Sequence, residues 1–335
     1  MTHSTAGVVV SYADATATRA AVGSLLRQTA PLEEVIVVDN ARDERLETGA
    51  WDERVRVLRP GRNLGYGPAC NLAAAATQAD WLLFCNPDAK ADERCLELLL
   101  AAADERTAIV GAQVLLPGAR AVNAGDNPLH LSGLSWSGRF GEPREDGPPR
   151  DVAVASGAAL LVRRAAFEQL GGYHPSCFLY YDDVDLAWRA RLAGWRVRFQ
   201  PAAVVEHDFS FERGAMKWYW LERNRLWSVL ANYSARALVL LAPLLLVTEV
   251  AILGFAVRRG WWREKLRAYA ALWRARHQLR QWRAHVQRLR RVADGELLRA
   301  ATADLDLRLA GLRRPGPLPA VLERYKSAVV ALLPG

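Results

Sequence analysis

Cysteine is scarce in this chain: four in 335 residues, Cys70, Cys85, Cys95 and Cys177. None belongs to a C-x-x-C pair, so a zinc ribbon or a disulfide framework is not expected, and a reducing compartment is. The glycine fingerprint of dinucleotide-binding folds is also missing. Gly65 and Gly67 are closely spaced, but Cys70 takes the third glycine's place, and the first β-α turn, Tyr12-Ala13-Asp14, has no glycine. There is no phosphate loop of the G-x-x-x-x-G-K-[ST] type and no G-x-S-x-G nucleophile elbow. Internal repeats are absent. The first residues, MTHSTAGVVVSY, have neither a basic nor an apolar leader segment, so no secretory signal is expected.

What is present is ordinary globular material, 51% hydrophobic and 24% charged, enough for about two domains. Disordered and collagen-like classes are thereby excluded. The net charge of +8 is unevenly placed. Residues 258–300 hold 13 Lys and Arg against three acids, residues 301–335 five against three, and residues 236–257 one of each. The first 235 residues are therefore mildly acidic. A basic footprint confined to one end, directly after an apolar run, points to an anionic membrane surface and away from nucleic acid.

The first 120 residues alternate strand and helix patterns. Strands are expected at 8–12, 35–39, 55–59, 81–86 and 108–115, and helices at 16–28, 66–78 and 93–103. This is an α/β architecture, a mostly parallel sheet flanked by helices, whose ligands bind beyond the strands' carboxyl ends. Residues 117–150, rich in Pro and Gly, read as a long functional loop. A strand at 157–163, helices at 164–170 and 182–193 with Gly194 as cap, short strands at 197–199 and 203–206, and a helix at 213–233 follow.

Residues 237–257 contain seven Leu and four Val, with Glu249 the only charge. That is long enough to span a bilayer. A simple span would carry the basic 258–300 segment away from the sheet domain, against the positive-inside tendency. Residues 262–292 repeat Trp262, Leu266, Trp273, Leu279, Trp282 and Val286 among arginines, as a basic amphipathic helix does. A monotopic or re-entrant anchor on the cytoplasmic face is expected; the alternative is a buried core helix with the amphipathic one packed on it. The domains expected are 1–233 and a helical extension, 234–335.

Four constellations are candidates for chemistry. Asn86-Pro87-Asp88 ends an apolar strand, where an acid can ligate a divalent ion; it is equally a good turn. Tyr181-Asp182-Asp183-Val184-Asp185 opens a helix, where acids cap orphan amides. Asp183, beside a second carboxylate, is the candidate general base. His207 follows a strand and matters only if it points at the same ion as Asp88. The Asn63-Leu64-Gly65-Tyr66-Gly67 stretch suits close approach of phosphate or ribose at a helix start.

Taken together and in order, the motifs resemble family 2 glycosyltransferases with the GT-A fold, particularly the bacterial rhamnosyltransferase-like branch. The match runs over residues 7–233, from Val8-Val9-Val10-Ser11-Tyr12 through Val35-Ile36-Val37-Val38-Asp39-Asn40, Asn63-Leu64-Gly65, Asn86-Pro87-Asp88, Ser156-Gly157-Ala158 and Tyr181-Asp182-Asp183 to Val205-Glu206-His207. The resemblance implies that Ser11 and Asp39 meet the nucleotide, with Asn63, Gly65 and Asn86 also on the donor side. It implies that Asp88 and His207 hold a divalent cation, Mg²⁺ or Mn²⁺. Asp183 would act as base, with Asp182 where relatives carry Glu. From the residues themselves, Tyr181, an aromatic just before the acids, and His130, in the loop 123–140, are expected on the acceptor side, the alternative for His130 being a solvated loop histidine. The turn after Asp39, Asn40-Ala41-Arg42-Asp43, departs from the family's Ser/Gly-rich pattern. The reaction implied is inverting transfer of a sugar from a nucleoside-diphosphate donor, dTDP-rhamnose favoured, to a saccharide or lipid-linked acceptor in cell-envelope synthesis. A non-catalytic nucleotide-sugar binder or membrane-docking scaffold is the alternative. No nucleic-acid partner is expected.

Overall fold

The structure, a computed structural model, describes residues 4–41, 46, 51–118, 120–207, 214–306 and 316–333. Arg42, Asp43 and Arg213, which entered the expectations above, lie outside the described residues. The chain divides into two compact units. The first is residues 1–127, 137–190 and 195–212; the second is 128–136, 191–194 and 213–335.

The first unit is built on β1 (Thr5–Ser11), α1 (Ala15–Leu26), β2 (Glu34–Asp39), β3 (Val55–Leu58), α2 (Tyr66–Ala75) and β4 (Trp81–Cys85). Then come β5 (Ala89–Ala91), α3 (Cys95–Ala101), β6 (Thr107–Leu115), β7 (Val122–Ala124), β8 (Asp126–Asn127), β9 (Arg150–Asp151), β10 (Val154–Ala155), β11 (Ala159–Arg163), α4 (Arg164–Leu170), α5 (Asp182–Leu192) and β12 (Arg196–His207). The main sheet runs β3-β2-β1-β4-β11-β6-β12-β5, with β7 beside β6 and β9 beside β12. β1 to β4 pair in parallel and β6 pairs in parallel with β12, while β11 runs antiparallel between β4 and β6. The carboxyl ends of β1, β2, β4 and β12 and the amino end of β11 therefore share one edge. This is the mixed, mostly parallel, helix-flanked sheet that the alternating pattern predicts.

Strand alternation sorts the core. Trp81, Leu83 and Cys85 of β4 join Val22 and Leu25 of α1 and Leu96 and Leu99 of α3 in one apolar cluster. Phe84 points the other way, against Phe167 of α4 and Tyr173, with ring centroids 5.4 and 5.3 Å away. β4 is buried along its whole length, which is why it reads as a continuous apolar run.

Two expectations are corrected. Residues 117–150 are not a plain loop: β7, β8 and β9 stitch part of them into sheets, and Val122, Asn123 and Ala124 are buried. The two short strands after Gly194 are one, β12, with a register irregularity between Gln200 and Val204 where Pro201 sits. β5 was not anticipated.

The second unit holds α6 (Gly214–Asn232), α7 (Ala235–Arg259), α8 (Trp262–Arg274), α9 (Arg276–Leu289), α10 (Asp294–Ala300) and α11 (Leu318–Leu332). The basic amphipathic stretch is thus two helices, broken at Ala275. Trp227 and Ala231 of α6 pack on Leu272 of α8 and on Leu279 and Trp282 of α9. Ser234 caps α7 through Ala237 N–H, and Gly260, in the left-handed region at φ 81°, ends it. α7 is long and apolar enough to cross a membrane by length and composition, and fits a membrane-associating extension.

Candidate active site

Three-residue β5 decides the site. It follows Asn86-Pro87-Asp88 immediately and pairs antiparallel with the end of β12, His207 opposite Ala89. That pairing brings two remote motifs together: His207 Nε2 lies 2.9 Å from Asp88 Oδ1. A carboxylate only accepts, so Nε2 donates here. Asn86 Nδ2 lies 3.4 Å from the same nitrogen. His207 is buried and Asp88 half-buried.

Asn86 also ties this pair to the loop before β11, its N–H donating to Ala158 O at 2.9 Å. One residue earlier, Gly157 N–H donates to Asp183 Oδ2 at 2.7 Å, and Val184 N–H donates to Asp183 Oδ1 at 2.8 Å. A Cβ at Gly157 would stand 3.1 Å from this carboxylate, so the glycine permits the close approach. Asp183, Gly157, Ala158, Asn86, His207 and Asp88 thus form one connected chain of contacts at the sheet's carboxyl edge. Burial pushes the Asp183 carboxyl above its usual range, and the backbone donors oppose that only in part.

The acids around Asp183 diverge. Asp182 is buried toward α2, where a Cβ on Gly67 would come within 2.8 Å of its Oδ1. Asp185 forms a buried ion pair with Arg189 at 2.7 Å. Ahead of them Tyr180 and Tyr181 both sit at positive φ, 64° and 70°. Two consecutive non-glycine residues in that region are strained, by about 1–3 kcal/mol each, and such strain gathers at functional sites.

Ser11 and Asp39 are register partners at the ends of β1 and β2. Ser11 Oγ is 2.8 Å from Thr18 Oγ1, and Asp39 Oδ2 accepts from Leu46 N–H at 3.0 Å with Arg59 Nε 3.5 Å away. Asn63 Oδ1 accepts from Gly65 N–H at 2.8 Å, shaping the turn into α2. Gly65, at φ 84°, has Phe178 O where a Cβ would be, 2.3 Å from it, so no other residue fits.

One acceptor-side expectation is corrected. His130 is completely buried in the second unit, Nδ1 2.7 Å from Ser132 Oγ and Nε2 3.2 Å from Ala303 O, which leaves no surface for a substrate. Burial brings its pKa down to about 4. Tyr181, the other residue expected there, is 7% exposed and directly precedes the Asp182-Asp183 pair. Conversely, sequence reasoning passed over Gly157 as the partner of Asp183, and Arg59, a basic residue at the end of β3 that the strand order sets beside Asp39. It also gave Asn40, the end of a matched motif and the start of the departing turn, no role of its own. Asn40 is a clasp: Nδ2 donates to Gly65 O at 2.9 Å, and Oδ1 accepts from Leu64 N–H at 3.1 Å.

Among the described residues no three His, Cys, Asp or Glu side chains gather as a ready-made cation cage. The Asp88–His207 pair nevertheless fits a divalent ion. Adjacent ligands of an octahedral ion at 2.0–2.1 Å stand about 3 Å apart, close to the spacing seen here, and an ion in place of the Nε2 proton would use the same two atoms.

Residues 8–171 match the family described as Glycosyl transferase family 2. An N-acetylglucosaminyl-diphospho-decaprenol L-rhamnosyltransferase of Mycobacterium tuberculosis is 30% identical over 235 residues, 62% of this chain and 76% of that protein. The chain belongs to glycosyltransferase family 2. Within it, the sequence sits with the rhamnosyltransferase-like branch. A pre-mycofactocin glycosyltransferase of the same organism is 30% identical over 181 residues, 52% of this chain and 37% of the relative. Among solved structures, GalNAc-T7 with UDP, GalNAc and Mn²⁺ superposes with a TM-score of 0.58 at 16% identity, over 68% of this chain and 48% of that one. The family 2 chain therefore has the GT-A fold.

Proposed function

We propose that this family 2 glycosyltransferase moves a sugar, rhamnose in the first instance, from a dTDP donor to a lipid-linked saccharide in cell-envelope synthesis, with inversion at the anomeric carbon. The observation that carries this reading is the connected chain from Asp183 through Gly157 and Asn86 to His207 and Asp88. It sets a proton acceptor and a candidate cation pair on one sheet edge. Ser11 and Asp39, at neighbouring strand ends, receive the nucleotide, and Asn40 holds the loop carrying Asn63 and Gly65 against it. Asp183 takes the proton of the acceptor hydroxyl. That oxygen then attacks the anomeric carbon as the bond to the nucleoside diphosphate breaks, and the single displacement inverts configuration. Asp88 and His207 would hold Mg²⁺ or Mn²⁺, which supplies neutralising charge to the diphosphate. Asp182, turned toward α2, and Tyr181 precede Asp183 in the chain. The relative's name supplies the acceptor class, and apolar α7 with the basic helices after it supplies the reason to place the enzyme at the cytoplasmic face of the membrane.

The test is product analysis. The full chain is incubated with dTDP-, UDP- and GDP-sugars, Mn²⁺ and a prenyl-diphosphate-linked N-acetylglucosamine. Transfer from dTDP-rhamnose, with inverted configuration by NMR, is expected. Retained configuration would remove the single displacement, and preference for another donor would replace rhamnose.

A further inference from the structure

α7 is apolar along its length but uncovered on one side only. Val239, Leu246, Val247, Val250 and Val257 are between 60% and 73% exposed. Val239, Leu246, Val250 and Val257, separated by seven, four and seven residues, lie on one face with Val247 at its edge, a stripe about 27 Å long at 1.5 Å per residue. The other side is inside the protein: Ala237, Leu241, Thr248 and Ala256 are buried. There Glu249, the only acid of the run, enters an ion cluster with Lys265 of α8, 2.6 Å away, and Arg225 of α6. Glu222 completes the cluster through Arg225 at 2.7 Å and through Lys265, and Tyr269 donates to Glu249 at 2.6 Å. Lys265 and Arg225 are almost wholly buried.

A helix that crossed a bilayer would take this cluster with it or tear Glu249 out of it, and either leaves charges in hydrocarbon. The next helix has a different exposed face. Trp262, Leu266 and Trp273 are 39%, 45% and 72% exposed, and Arg263, Arg267 and Arg274, one residue further along, are exposed beside them. Aromatic and aliphatic groups interleaved with arginine suit the headgroup layer, where the arginine stem is apolar and its head meets phosphate.

We infer that α7 lies along an anionic bilayer surface and does not cross it, its valine and leucine stripe in the acyl boundary and the α8 arginines on lipid phosphates. The ion cluster holds the helix by its opposite face, so only one side is offered to lipid. The inference rests on the reading of the chain as membrane-associated and fixes how that association is made. An anionic leaflet is the occupant because the uncovered stripe is continued by a segment of strongly positive charge.

The test uses the full chain expressed in bacteria. The four native cysteines are buried, so single cysteines at Ala235→Cys and Arg258→Cys report the two ends of α7 to an impermeant maleimide. Both are expected to label in inside-out vesicles and neither in intact spheroplasts. One end labelling in each preparation would overturn the inference and leave membrane association standing. Recovery of the whole protein in the soluble fraction at low salt would remove both. With purified protein, phosphatidylglycerol vesicles should bind it and phosphatidylcholine vesicles bind it weakly, and equal binding would overturn the anionic occupant. Leu246→Glu/Val250→Glu, checked for an unchanged melt, should cut the bound fraction at least tenfold; unchanged binding would overturn the stripe.

Discussion

Asp183 in the first unit and Glu222 in the second face the same physical problem and answer it oppositely. Both carboxyls are removed from water, which raises a carboxyl pKa. At Asp183 the opposing groups are backbone amides, and the pKa stays above the ordinary range. At Glu222 burial is outweighed by Arg225 and Lys265, and the pKa falls to about 2. An acid compensated by dipoles keeps a proton within reach and can exchange it. An acid compensated by two cations is fixed as an anion and serves to hold helices. The difference separates the proposed reacting group from a structural one, although both are acids carried on helices, Asp183 in the first turn of α5 and Glu222 within α6.

The contrast can be broken at either end. The largest effect is expected at Asp183→Asn: transfer should fall by about 10²–10⁴-fold, the usual worth of a positioned base, with donor affinity unchanged. Retained turnover would take the role away. The wild-type rate should fall on the acid side at a pH above the ordinary carboxylate range. Stability carries an opposite sign. The folded pKa lies above the unfolded one, so the contribution of Asp183 is full at low pH and is lost as pH rises through the folded value. Asp183→Asn should therefore compare more favourably with wild type in thermal melts at neutral pH than in acid.

Glu222→Gln should cost about 3–5 kcal/mol in denaturant unfolding, because it strips charge from a buried pair and leaves Lys265 and Arg225 under-compensated. A negligible loss would mean that the cluster does not hold the helices. The smallest effect belongs to His130. Its depressed pKa means stability that is full above its ordinary value of 6.5 and lost as pH falls toward about 4, on the order of 3 kcal/mol. His130→Gln should flatten the wild-type loss across that window, and an unchanged pH profile would show that the imidazole is not held neutral.

The fold was legible where burial is written into composition. β1, β2, β4 and β6 are apolar along their lengths, and α1 to α3 have helical spacing between them. It was illegible where pairing, not composition, makes the element. Ala89-Lys90-Ala91 has no strand character, and becomes β5 only because the end of β12 needs a partner. The separate halves of β12 could not be joined from sequence, since Pro201 marks a break that the sheet absorbs as an irregularity. The candidate site was legible as motif order, which singled out Asp88, Asp183 and His207, but the contact joining the first and last of them depends on β5. His130 failed for the converse reason. A Pro- and Gly-rich neighbourhood looks exposed, and only tertiary packing against Ala303 O and Ser132 buries the ring.

The central claim is that Asp88 and His207 form a cation-assisted donor site beside Asp183. Calorimetric titration of dTDP-rhamnose, with Mn²⁺ and then with EDTA, tests it most directly on the wild-type chain and on Asp88→Ala. The account predicts binding that needs the cation in the wild type and is lost in the variant. Equal affinity in all three measurements would contradict it.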